Sequence, residues 1–171
     1  MDRILPSEGS DAGSTPAGHT MNQKFFNYLK SQNLNFDITT FSRSTRTSVD
    51  AATALGCQLG QIAKSLIFKI ADNHLLLIVA SGANRVDENK IGALIGQKIS
   101  KADADFVQKH TGYAIGGVPS FGFSTPIITY IDEDLLNFSQ IWSAAGDSHS
   151  VFSLSPQNLV RLTRGIITCV K

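Results

Sequence analysis

The stretch Ile62-Ala63-Lys64-Ser65-Leu66-Ile67-Phe68-Lys69-Ile70, followed after Ala71-Asp72-Asn73 by His74-Leu75-Leu76-Leu77-Ile78-Val79-Ala80-Ser81, decides the fold. Both runs are apolar, strand-sized and rich in β-branched residues, and the triplet between them reads as a hairpin turn. Along the first run Ile62, Lys64, Leu66 and Phe68 share one face by the two-residue period of a strand. An unpaired ammonium is costly to bury, so the head of Lys64 must reach water, a carboxylate or a ligand. By itself the lysine is a side chain that snorkels to solvent; a second segment gives it another use.

That segment is Thr111-Gly112-Tyr113-Ala114-Ile115-Gly116-Gly117-Val118-Pro119, about fifty residues downstream. Gly116 and Gly117 are free to adopt positive φ, and Pro119 has fixed φ and no amide proton. The combination predicts a rigid concave turn whose Gly116, Gly117 and Val118 amides face a ligand. Such a nest suits a phosphate, a carboxylate or the oxyanion of an attacked ester. The plainer alternative is a tight connection between a helix and a strand. No Gly-Lys-Ser/Thr follows, so this is not a Walker-type phosphate loop.

Around the hairpin the chain alternates helices and strands. Phe25, Phe26 and Leu29 predict an amphipathic helix over 22–32. Residues 35–41 read as a strand, and Ser48 as the cap of a short helix ended by Gly56. Asp87 opens a helix closed by Gly96. Ser100 with Asp103 reads as a capping-box variant before a helix that ends at Gly112. Strands are expected over 126–131, 141–145, 149–154 and 166–170, with a short helix from Asp132 and another from Ser155-Pro156. Interleaved elements with hairpins favour an α/β fold with a mixed sheet over a doubly wound parallel one.

Composition narrows the function. The 171 residues are 42% hydrophobic and 17% charged, as in an ordinary globular domain. No apolar run approaches the roughly 20 residues that span a bilayer, and no secretory h-region opens the chain, so a cytoplasmic protein is expected. Residues 1–20, rich in Gly, Ser, Pro, Thr and Ala, are read as a disordered leader, native or appended, ahead of one domain over 21–171. The formal charge is +1, and without the leader it is +3, with 14 basic against 11 acidic residues. That balance argues against DNA binding and leaves room for a local basic patch that grips one end of an RNA. Cys57 and Cys169 have no metal-ligand spacing and are expected as reduced thiols. No metal site, no cofactor and no Ser–His–Asp or Cys–His constellation is expected.

Other candidates are weaker. Arg46 and Thr47 sit in a hydroxyl-rich loop able to contact sugar or phosphate. Gly82, Asn84 and Arg85 follow the second strand of the hairpin, where Arg85 could grip a phosphate. His149 opens a late strand, and a lone histidine is usually structural.

Taken in order, Ala63-Lys64-Ser65-Leu66-Ile67-Phe68, Ala80-Ser81-Gly82, Thr111-Gly112 with Gly116-Gly117-Val118-Pro119, Ile131-Asp132, and Ala145-Gly146 to His149 resemble the YbaK/EbsC family. This is the aminoacyl-tRNA deacylase domain related to the editing insertion of bacterial prolyl-tRNA synthetase. The resemblance spans about 21–171 and implies a mixed, barrel-like sheet flanked by helices. It also implies hydrolysis in trans of the ester linking a wrong amino acid to tRNA(Pro). Small amino acids such as alanine, cysteine and serine all suit such a site, with alanine or 2-aminobutyrate expected first and cysteine as the alternative. The aminoacyl-tRNA(Pro) 3′ end is then the expected partner, with prolyl-tRNA synthetase a further one. By the same resemblance Lys64 holds the terminal adenosine, the loop around Gly116–Pro119 surrounds the ester, and Ser65 and His149 join the substrate-binding set. Ser120 stands where many relatives have a second proline, which leaves the loop's rigidity open. An activated ester needs only placed water and a stabilised oxyanion, so the missing nucleophile fits. The competing readings are a non-catalytic module holding an aminoacyl-adenosine-like ligand, and a synthetase-associated interaction domain.

Overall fold

The hairpin forms as expected: β-strands Ile62–Ile70 and His74–Ser81 pair antiparallel from Ala63 opposite Ser81 to Ile70 opposite His74. The turn between them puts Asp72 and Asn73 at positive φ, the left-handed region that short polar side chains tolerate. The computed structural model describes residues 19–171. In chain order these comprise α1 (His19–Ser31), β1 (Ile38–Thr40), α2 (Ser48–Leu55), β2 (Ile62–Ile70), β3 (His74–Ser81), α3 (Glu88–Ile95), β4 (Ser100–Lys101) and α4 (Ala104–Thr111). After the glycine-rich turn come β5 (Ile128–Asp132), β6 (Ile141–Ala144), β7 (Ser150–Leu154), α5 (Pro156–Thr163) and β8 (Ile166–Thr168).

The strands form one mixed sheet in the order β1-β7-β6-β2-β3-β5-β8, with β4 added on β2. β3, β5 and β8 run parallel, as do β2 and β6, while β2–β3, β6–β7 and β1–β7 are antiparallel. The expected mixed sheet flanked by helices is what the chain adopts. Strand alternation sends Ala63, Ile67, Leu77, Val79 and Ile131 to one core, where they meet α1, α4 and α5. Phe68, Leu76, Ile78, Ala80 and Tyr130 go to the other face, under Ile91 of α3.

Several boundaries differ from the sequence reading. α1 begins at His19, two residues inside the stretch assigned to the leader; residues 1–18 lie outside the described residues. The cap of α2 is Thr47, whose Oγ1 accepts from Asp50 N–H at 3.0 Å, and Ser48 is the first helical residue. Ser100 is in β4, not in a capping box; Asp103 alone caps α4 by accepting from Phe106 N–H at 2.8 Å. β1 is shorter than the run 35–41, because Phe36 turns into the large core against Phe152 and Phe121.

That core is aromatic where α1 crosses the sheet. Phe152 of β7 lies 5.2 Å, centroid to centroid, from both Phe25 of α1 and Phe36, and 5.7 Å from Phe121. Phe152 and Phe25 are both fully buried. Phe152→Ala is expected to cost about 3–5 kcal/mol, the usual range for truncating a core phenylalanine. Urea denaturation of the wild type and variant measures it.

Candidate active site

β2 has two partners on one edge, and they stop short of each other. β6 pairs with Ile62 and Ala63 at its start, and β4 with Phe68 and Lys69 near its end. Residues 64–67 have no strand partner on that edge. Gly82 N–H donates to Ile62 O at 2.7 Å on the β3 side. Alternation of the antiparallel ladder then turns Ser65's N–H and C=O to the open edge. Ile67 shows the same direction, its carbonyl accepting from Ala102 N–H at 3.2 Å.

A cavity of about 350 Å³ lies at this gap. Its floor is residues 62–66 of β2; residues 45–49 at the start of α2 form one wall. Ile115, Gly116 and Val118 of the glycine-rich turn form a second wall, and Trp142, Ser143 and Ala144 of β6 a third. The loop carrying Arg46 is fixed from behind: Thr45 N–H and Oγ1 both reach Ser148 O, at 2.6 and 3.1 Å.

Lys64 is half-buried in the cavity and has no ion pair or hydrogen bond among the described residues. Burial first, then the ammonium of Lys101, hold its pKa below the ordinary 10.5; Arg85 adds to this and Asp132 partly opposes it. Asp132 is not free to pair with it. Buried at 1% exposure, its carboxylate accepts from Ser81 N–H, Asn84 Nδ2 and Asp134 N–H at 2.8–3.0 Å.

The glycine-rich turn is partly as expected. Gly116 has φ +93°, and its Cα faces Arg46, whose Cβ would lie 3.2 Å from an added methyl. Gly116 and Val118 amides have no hydrogen-bond acceptor among the described residues, whereas Gly117 N–H donates to Ala114 O at 2.9 Å. Gly117 is therefore withdrawn from the expected set of donors. Its glycine has another cause: a Cβ there would lie 2.6 Å from the Asp147 backbone.

A sequence profile for the aminoacyl-tRNA editing domain matches residues 42–162. The chain belongs to this family. YwhH, an uncharacterized protein of Bacillus subtilis, is 35% identical to this editing domain over 123 residues, 72% of the chain and 78% of YwhH. EbsC of Enterococcus faecalis, a candidate Cys-tRNA(Pro)/Cys-tRNA(Cys) deacylase, is 27% identical over 115 residues, 67% of the chain and 70% of its own. The crystal structure of a candidate trans-editing enzyme for prolyl-tRNA synthetase superposes with a TM-score of 0.84 at 34% identity, covering 93% of this chain and 99% of the other. The YbaK/EbsC resemblance is thereby confirmed.

Within the editing domain, Lys64, Ser65, Gly82, Arg46, Thr47, Gly116 and Val118 all line the one cavity. Asn84, Arg85, Pro119 and His149 do not. Asn84's amide is clamped between Asp132 and Asp134, at 2.8 and 2.7 Å, and Lys171 closes the clamp on Asp134 at 2.7 Å. His149 is held by its backbone, its N–H donating to Asp147 Oδ1 at 2.7 Å. Residue-by-residue reading overlooked Ile115, Trp142, Ser143 and Ala144. It also left Ser120 without a role. Its buried Oγ lies 2.8 Å from Ser143 Oγ and 3.3 Å from Ser65 Oγ, a hydroxyl chain tying the turn to β6 and β2. A buried serine on an otherwise apolar strand face, as Ser143 is, was the available signal. No group of three or more metal-binding side chains exists among the described residues. Nor is any helix there long and apolar enough to cross a membrane. Both cysteines are free, and burial pushes the Cys57 thiol up, away from a reactive thiolate.

An ammonium held in a half-buried site without a partner costs stability. Because Lys64's folded pKa lies below its unfolded value, that cost is full at neutral pH and fades as pH rises toward 10.5. Lys64→Met is expected to raise the urea midpoint at pH 7 and to lose part of that advantage by pH 10. Equal midpoints at both pH values would show that the lysine's charge costs the fold nothing.

Proposed function

We propose that this domain hydrolyses in trans the ester of mischarged tRNA(Pro) carrying a small amino acid, with alanine, 2-aminobutyrate or cysteine as the candidate residues. The observation that carries the reading is one cavity holding a lysine and two backbone amides without partners among the described residues, with no carboxylate in its described lining. Its positive groups are Lys64, Arg46 and the first-turn amides of α2, all suited to the phosphate and sugar of a terminal adenosine. The names of EbsC and the trans-editing relative support the same substrate class.

In this mechanism Lys64 holds the 3′-terminal adenosine, while Arg46 and Thr47 border its ribose and phosphate. The Gly116 and Val118 amides receive the ester carbonyl and stabilise the oxyanion formed when water attacks. The tetrahedral carbon then expels the ribose oxygen, and the neighbouring 2′-hydroxyl passes the proton from the attacking water to that leaving oxygen. No side-chain nucleophile is needed, because the ester is activated before it arrives. Cytoplasmic aminoacyl-tRNA and prolyl-tRNA synthetase are the partners this reading implies.

The test is deacylation of mischarged tRNA(Pro) by the pure protein. Lys64→Ala should raise KM or abolish turnover. Gly116→Ala, which strains the turn and presses on Arg46, should lower kcat by roughly 10²–10³, the usual loss for one oxyanion donor. Tight binding of the aminoacyl-tRNA with no hydrolysis would favour the non-catalytic module instead. Co-purification with a synthetase, without hydrolysis or binding of the tRNA, would favour an interaction domain.

A further inference from the structure

A second cavity, of about 150 Å³, adjoins the first and shares Ser65, Leu66, Ile115 and Val118 with it. It continues along the open edge of β2 under α4, where Val107 and Ala102 close it. Its chemistry differs from that of its neighbour. Apart from Ser65 and Lys101, every lining side chain is apolar, and no carboxylate lines it. Lys101 is solvent-exposed, and Ser65 Oγ already lies 3.3 Å from Ser120 Oγ.

We propose that this smaller cavity receives the amino-acid side chain, and that Val107 and Ala102 make it selective for aliphatic chains longer than alanine's. The proposal rests on the deacylase reading of the larger cavity. Val118 stands at the wall common to both spaces, and Gly116 lines the larger one two residues before it. An ester carbon held there sends the ribose one way and the substituent on its α-carbon the other. The carbonyl of Ser65, turned to the same open edge, is placed to accept from the α-ammonium. All three groups on the reacting unit then have a matching surface.

Volume and polarity set the ranking. An apolar cavity of about 150 Å³ is large enough for benzene, so an alanine methyl leaves most of it empty. An ethyl or isopropyl group fills it better. A hydroxyl entering it loses water among mostly apolar side chains, and the only side-chain hydroxyl in the lining, Ser65 Oγ, already lies 3.3 Å from Ser120 Oγ. One methylene in a hydrophobic pocket is worth about 10–200-fold, and a hydroxyl on an isosteric chain about 10².

The experiment compares kcat/KM on tRNA(Pro) charged with alanine, 2-aminobutyrate, valine and threonine. 2-Aminobutyrate should exceed alanine by at least about 10-fold, and valine should exceed threonine by roughly 10². Val107→Phe and Ala102→Leu should each erase the advantage of the longer chains over alanine. Two variants are used because Val107 is buried in the core, and each is checked by its thermal midpoint. Equal rates on valine and threonine, or an unchanged ranking in a folded variant, would overturn the proposal. Binding of 3′-aminoacylamino-adenosine analogues by calorimetry separates the two readings. The same ranking in affinity, with no ester hydrolysed, sustains the side-chain subsite and defeats the deacylase reading; affinity indifferent to side chain defeats the subsite.

Discussion

The site depends on an unfilled length of strand edge. β2 is nine residues long, but β6 and β4 each cover only two of them on the same side. Buried backbone groups are nearly always paired, and an open edge is a place where pairing is still available. Here the edge is shielded from other chains by the α2 loop, the glycine-rich turn and α4. What remains is a recessed cleft with a backbone donor and acceptor at Ser65. The gap itself follows from where β6 and β4 stop along β2.

Charge is distributed to suit that space. Among the described residues three cations, Lys64, Arg46 and Lys101, border the two cavities, and no carboxylate does. The nearest acidic influence on Lys64, Asp132, is locked by three N–H donors into the junction between β3, β5 and the following 3-10 turn. An ion pair with Lys64 would lower the cost of its burial but occupy the group that the proposed substrate would use. Keeping the carboxylate engaged elsewhere leaves the lysine unsatisfied, and so available to an anion.

The sequence made the secondary structure legible wherever periodicity was strong. The β2–β3 hairpin has the bounds that its apolar runs predict, and Asp87, Gly96 and Gly112 cap as expected. Short elements were less clear: Ser100 and Asp103 looked like one motif because a two-residue strand leaves no periodic trace. The cavity's lining was legible where its residues are chemically distinctive, namely Lys64 and Gly116. It was misread at Asn84 and Gly117, whose polar groups have local partners visible only in three dimensions. Trp142, Ser143 and Ala144 were overlooked because their part in the cavity comes from β6 lying beside the start of β2, a non-local pairing.

Ser120 shows how a local departure is absorbed. A proline there would fix φ but contribute no hydroxyl; serine gives up that rigidity and gains Oγ contacts to two strands. The turn is thus held by tertiary hydrogen bonding where a second ring would hold it by covalent constraint. The same contacts engage Ser65 Oγ, which makes the adjoining wall less receptive to a substrate hydroxyl. Stiffening of the turn and the engagement of Ser65 Oγ are therefore two consequences of one hydroxyl chain.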